Sequence, residues 1–253
     1  MAESLRADLE RFVIDDSDLE KLEERLGEAN IFEVLGMVNA EIRHSNFLAW
    51  ILDPAANHGL GDAVLRAFLK RALSGGVPGN GLTALDAAVM NLDDTEVYRE
   101  RAEIDLLLVN RTAGFVIVIE NKITAGEHGD QLAKYRGWVE ATYREMNRRA
   151  FFLLTVEIDD TPSDEAYSPI GYHTVLEAID YVIRRHEGGM LPQTELLLRQ
   201  YSTMIRRRLM DDDPGLVKLA RDIYRKHRRA LDYVFEQIPD RQAELRDHLE
   251  KLI

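Results

Sequence analysis

The sequence predicts an α/β protein: a central sheet flanked by helices, followed by a helical C-terminal region. Three observations carry this. Residues 103–109, 115–122 and 149–157 are short runs rich in Leu, Ile, Val and Phe and bounded by turn residues, the mark of strands buried on both faces. The segments around them repeat apolar residues at helical spacing. Finally, 253 residues with 45% apolar and 30% charged content suffice for one substantial core without staples.

Taken in order, residues 1–29 read as a helical segment, with Leu5, Leu9, Phe12 and Val13 in one stretch, Leu19, Leu22 and Leu26 in the next, and Ser17 as the second N-cap. Asn30 with Glu33 three residues on opens helical sequence reaching Leu52, where Asp53-Pro54 stops it. The turn 57–62, Asn-His-Gly-Leu-Gly-Asp, leads into an apolar helix over 63–73 with Asp62 as its N-cap; His58 in that turn lies near the site or at the surface, with the surface preferred. Residues 74–81 form a glycine-rich loop, and 82–92 fit a short helix or a strand equally. A strand over 95–100 precedes the runs at 103–109 and 115–122, joined by the four-residue link 111–114. After the loop 123–127 a helix runs from about 128 to 146, then a strand over 149–157, an acidic loop at 159–165, a short strand at 171–175 and a helix over 176–186. Helices opened by Pro192 and Pro214 follow, and the pattern opened by Pro239 is still unfinished at Ile253, which suggests a longer C-terminal part. The expected division is 1–29, a core over 30–190, and a helical region over 191–253.

Chemistry concentrates at the end of the second hairpin strand. An apolar run from Phe115 ends in Glu120-Asn121-Lys122, and the period of two puts Glu120 and Lys122 on one face with Asn121 on the other. If Asn110 faces Phe115, Asp105 falls opposite Glu120. Two carboxylates offer hard oxygen ligands to Mg²⁺ or Mn²⁺, and a neighbouring lysine can hold or deprotonate a metal-bound water and balance phosphate charge. The same parity places Glu103 opposite Lys122, as an ion-pair partner or a member of the metal shell, with the ion pair preferred. Glu41, His44 and Ser45 share a helix face at i, i+3 and i+4, as do Gln131 and Tyr135, with Trp138 beyond them as a packing residue.

Asp105, then Glu120-Asn121-Lys122, then Gln131 and Tyr135 resemble the PD-(D/E)XK nuclease superfamily, whose signature is an Asp followed by Glu-x-Lys on the next strand. The Gln-x-x-x-Tyr spacing is similar to the RecB-like exonuclease branch. Glu41-Ile42-Arg43-His44-Ser45-Asn46-Phe47-Leu48-Ala49-Trp50 and His58-Gly59-Leu60-Gly61-Asp62 resemble a bacterial subfamily that includes defence-associated proteins. The resemblance covers roughly residues 30 to 205; Ile104 stands where the signature has proline. It implies a restriction-endonuclease-like mixed sheet and a Mg²⁺ (or Mn²⁺) cofactor. It implies Asp105, Glu120 and Lys122 as catalytic residues, with Asp105, Glu120, the Asn121 carbonyl and Glu41 as metal ligands. His44 is then a candidate for substrate phosphate or metal, Ser45 and Asn46 tie the helix to the sheet, and Gln131 and Tyr135 position the lysine and contact the nucleic-acid backbone. The implied partner is DNA, with RNA as the alternative polymer, and the implied assembly a homodimer or a larger defence complex.

Composition limits the choices. With no cysteine, disulfides, thiolate zinc sites and cysteine nucleophiles are excluded. There is no apolar signal segment and no membrane-length run, so a cytoplasmic protein is expected. No phosphate-binding glycine loop, nucleophile-elbow serine or paired-histidine zinc helix is present. The net charge of −13 opposes general affinity for nucleic acid. Against it, residues 196–231 hold ten Lys or Arg and four Asp, either a surface that guides a polyanion or a solvated helix face. The alternative to a nuclease is a catalytically silent module of the same fold acting through nucleic-acid or protein binding.

Overall fold

Five strands form one sheet in the order in which they occur along the chain: β1 (Glu96–Arg101), β2 (Ile104–Asn110), β3 (Phe115–Lys122), β4 (Arg148–Thr155) and β5 (Tyr167–Gly171). β1, β2 and β3 are antiparallel neighbours, while β3, β4 and β5 are parallel, so the sheet is mixed, as expected. The computed structural model describes residues 2–78, 81–123, 130–156, 161–210 and 214–237. The expected loop at 124–127, the centre of the acidic loop at 159–160 and the helix opened by Pro239 lie outside the described residues.

The helices are α1 (Ala2–Ile14), α2 (Ser17–Gly27), α3 (Ile31–Val34), α4 (Glu41–Leu52), α5 (Ala63–Ala72), α6 (Ala84–Val89), α7 (Gln131–Thr142), α8 (Tyr172–Arg185), α9 (Pro192–Met204) and α10 (Pro214–Glu236); a π-helical turn, Ile205–Leu209, continues α9. The central strands are buried on both faces, as their unbroken apolar sequence requires. Leu106, Leu108, Phe115, Ile117 and Ile119 pack with residues of α4, α5, α8 and α9. On the opposite face Leu107, Val109, Val116, Val118 and Phe151 pack with Leu132, Tyr135 and Val139 of α7.

Two compact units partition the chain: residues 29–211, and residues 1–28 with 212–253. The larger unit takes in α9 and the π turn, which place Leu198, Tyr201, Met204 and Ile205 in the main core. Among the described residues no helix is long and apolar enough to cross a membrane.

Several boundaries differ from expectation for identifiable reasons. The helix expected from Asn30 to Leu52 is broken: Asn30 caps α3 by accepting from the N–H groups of Phe32 (3.0 Å) and Glu33 (3.4 Å), and the chain then leaves the helix through Gly36 at φ +64°. Glu41 consequently stands in the first turn of α4, where the helix dipole favours its charge. Residues 84–89 are helical, capped by a reciprocal Thr83–Asp86 box, which settles the ambiguous stretch. Asp62 precedes α5 but its carboxylate bonds Arg66 rather than capping N–H groups. The strand expected at 171–175 lies at 167–171, where Pro169 is tolerated because β5 is an edge strand.

Candidate active site

The ladder between β2 and β3 pairs Asn110 with Phe115 and Leu106 with Ile119, and its next step sets Asp105 against Glu120. The Asn121 N–H donates to Asp105 Oδ2 at 2.8 Å, which fixes that carboxylate across the strand pair. Alternation then puts Asp105, Glu120 and Lys122 on the α7 side of the sheet and Asn121 on the other. α7 closes over the acids: Gln131 Nε2 donates to Glu120 Oε1 (3.0 Å) and to the Tyr135 hydroxyl (2.7 Å). Lys122 Nζ lies 2.9 Å from the same Glu120 oxygen.

Glu120 is only 1% exposed, and its other oxygen, Oε2, is buried without a hydrogen-bond partner among the described residues. Burial first, and the neighbouring Asp105 charge second, push its carboxyl up to about 7 despite the lysine. Asp105 is likewise raised by burial, against the pull of the Asn121 N–H and Lys122. For Lys122 burial acts to depress the ammonium, but its bond to Glu120 and the charges of Asp105 and Glu41 outweigh it and hold the group above its ordinary value.

Glu41 approaches from the end of the sheet: Oε1 accepts the Ile123 N–H at 2.8 Å, and its charge acts on Asp105, Glu120 and Lys122. Ser45 does tie α4 to the sheet, accepting from Asn121 Nδ2 at 3.1 Å, whereas Asn46 is exposed. His44 belongs to the interior, not to an open site. It is fully buried, with Nδ1 2.9 Å from the Tyr201 hydroxyl and Nε2 3.2 Å from the Val38 carbonyl, so neither nitrogen is left for a phosphate or metal. Burial depresses it to about 4, so it is neutral. His58, expected at the surface, is also buried, bonded to the Asp53 carbonyl and the Leu60 N–H.

Glu103 is displaced from its expected partner. Ala102 and Glu103 both have positive φ and form the two-residue turn between β1 and β2, so Glu103 leaves the strand parity and pairs with Lys134 instead of Lys122. Tyr172 and Tyr167 went unnoticed in the sequence. The first donates to Asn121 Oδ1 at 2.8 Å; the second is buried on the α7 side, its hydroxyl without a hydrogen-bond partner among the described residues. No local signal marks either.

The donor set fits a hard divalent cation in chemistry: two carboxylates on adjacent strands, the main-chain carbonyl of Asn121 between Glu120 and Lys122 in sequence, and one buried oxygen without a hydrogen-bond partner among the described residues. Among the described residues no three His, Asp or Glu side chains stand together as a group that could hold a metal ion.

A five-stranded mixed sheet flanked by helices, with acids and a lysine at the end of its central hairpin, defines the restriction-endonuclease-like class of α/β proteins. The family model of the PD-(D/E)XK nuclease superfamily matches residues 29–203, and the chain belongs to that superfamily. No curated protein and no solved structure matches the chain.

Proposed function

We propose that this protein is a divalent-metal-dependent phosphodiesterase that cleaves DNA. The observation that supports it most is the Glu120 carboxylate, buried beside Asp105 with one oxygen held by Lys122 and Gln131 and the other without a hydrogen-bond partner among the described residues. Asp105, Glu120 and the Asn121 carbonyl would hold Mg²⁺ or Mn²⁺, with Glu41 completing the set. Bound there, the cation supplies Lewis acidity toward the phosphodiester and lowers the cost of developing negative charge. Lys122, kept as an ammonium, donates to the attacking water or a phosphate oxygen. Gln131 fixes the free rotation of Glu120, and Tyr135 fixes Gln131, a role in keeping with the RecB-like spacing of the pair. Hydrolysis forms one P–O bond to water, breaks the bond to the leaving oxygen, and moves one proton from the water to that oxygen. Resemblance of the α4 segment to defence-associated proteins favours action on invading or damaged DNA in the cytoplasm, by a dimer or a larger complex.

The test is incubation with Mg²⁺ or Mn²⁺ and linear, circular, single- and double-stranded DNA, with RNA as a parallel arm. Cleavage is expected for DNA, falling at least about a hundredfold in Lys122→Ala. Absence of cleavage on every polymer, or full activity in Lys122→Ala, defeats the proposal.

One observation favours the silent-module alternative. Much of the basic segment is engaged internally: Arg206 with Asp180, Arg208 with Glu33, Lys226 with Asp15 and Asp18, and Arg229 with Asp8. Those pairs leave less cationic surface for phosphates. Calorimetric titration separates the readings, since a silent module binds no Mn²⁺ at millimolar concentration.

A further inference from the structure

Asn121 continues the inward series Phe115, Ile117 and Ile119, yet it is an amide with no exposure at all, facing the largest apolar cluster of the molecule. A buried amide is costly unless its groups are paired, and here its side chain is bonded at both ends. Nδ2 donates to the Glu41 carbonyl (3.2 Å) and Ser45 Oγ (3.1 Å), and Oδ1 accepts the Tyr172 hydroxyl at 2.8 Å. With its N–H on Asp105, this one residue joins β2, β3, α4 and α8, and its chain neighbours are Glu120 and Lys122.

We infer that Tyr172 is a positioning residue for the Asp105, Glu120 and Lys122 centre, acting through the side chain of Asn121; this rests on the nuclease reading above. The reasoning is geometric. The end of a strand is free to twist, and a twist at Asn121 would carry Glu120 and Lys122 out of line and, by withdrawing the Asn121 N–H, release Asp105 on the same face. The Tyr172 hydroxyl opposes that twist from the side of the sheet away from the chemistry. Tyr172 is itself held: it is fully buried, its hydroxyl meets that of Tyr201, and Tyr201 in turn bonds His44 Nδ1 at 2.9 Å. The buried chain from His44 through Tyr201 and Tyr172 to Asn121 thus anchors the centre to α4, α8 and α9. It also gives buried His44 a role that does not require it to touch substrate.

Outer contacts of this kind set ligand orientation, and their loss weakens metal affinity or activity about ten- to a hundredfold. The test compares the full chain with Tyr172→Phe, which deletes only the hydroxyl, and with Val182→Ala, which thins the same helix in the core without touching the polar chain. Mn²⁺ affinity is measured by calorimetry, together with thermal unfolding and cleavage kinetics. Tyr172→Phe is expected to bind Mn²⁺ at least about tenfold more weakly and to lose kcat with KM for DNA unchanged, while Val182→Ala loses thermal stability but keeps wild-type affinity. Ser45→Ala, at the other end of the amide, is expected to shift affinity in the same direction and stands in if Tyr172→Phe does not fold. Wild-type affinity in Tyr172→Phe, or equal weakening in Val182→Ala, overturns the inference alone. A wild-type protein that binds no Mn²⁺ overturns the nuclease reading and this inference together.

Discussion

Glu120 and His44 are both buried and both titrate far from their ordinary range, but in opposite senses for stability. Glu120 is raised from 4.5 to about 7, so the folded protein holds a proton that the unfolded chain has released across that interval. Stability from this group is complete below about 4.5 and is lost as pH rises through 7. Glu120→Gln is therefore expected to unfold at a higher temperature than wild type at pH 8 without metal, by a margin on the order of 2 kcal/mol, and to match it near pH 4, while losing Mn²⁺ binding. Thermal unfolding at the two pH values checks the sign. His44 falls from 6.5 to about 4, so the unfolded chain binds the proton first, and its contribution is complete above 6.5 and lost as pH drops toward 4. His44→Gln should flatten the acid side of the stability profile, measured as the unfolding midpoint between pH 4 and 7. If both variants keep the wild-type pH dependence, the burial assigned to these groups is wrong.

Elements show which parts of this arrangement could be read from residues. The β2–β3 register followed from a four-residue link and two apolar runs, and it is the register found, with Asn110 against Phe115. Hairpin geometry is local, so local sequence suffices. The β1–β2 turn is equally local yet differs from expectation, because Ala102 and Glu103 adopt the positive φ that Gly and Asn usually supply. Nothing in Arg-Ala-Glu-Ile announces a turn, so strand parity alone points Glu103 at Lys122, whereas it pairs with Lys134. That substitution of Ala for Gly should leave measurable strain: Ala102→Gly is expected to raise stability by about 1 kcal/mol, seen as a higher urea midpoint with unchanged slope. The break before α4 was, by contrast, written in Gly36, a helix-ending signal overlooked among strong helix formers. What remained illegible is nonlocal: that Tyr172 reaches Asn121 from 51 positions away, or Tyr201 reaches His44 from 157, follows from packing of α8 and α9 on the sheet and from no periodicity.

At the scale of the whole molecule, helical periodicity marked the segments at 1–29 and 191–253 but could not say which of them cover the sheet. α9 does, since Leu198 and Tyr201 are fully buried in its main core, whereas α1, α2 and α10 form a separate unit. The basic stretch at 196–231 is accordingly divided: Arg199, Arg206, Arg207 and Arg208 belong to one unit and the other six cations to the second. The family match at 29–203 falls within the unit 29–211, which also contains both apolar clusters and every residue assigned to the centre. A chain of that size buries enough surface to fold alone. Residues 29–211 expressed as an independent fragment are therefore expected to unfold in a single cooperative transition and to bind Mn²⁺ within about threefold of the full chain's affinity, because every ligand proposed above lies within the unit. Calorimetry on the two chains decides it: a folded fragment that has lost the metal would mean that residues 1–28 or 212–253 contribute to the centre, and the assignment of its ligands to β2, β3 and α4 would fall.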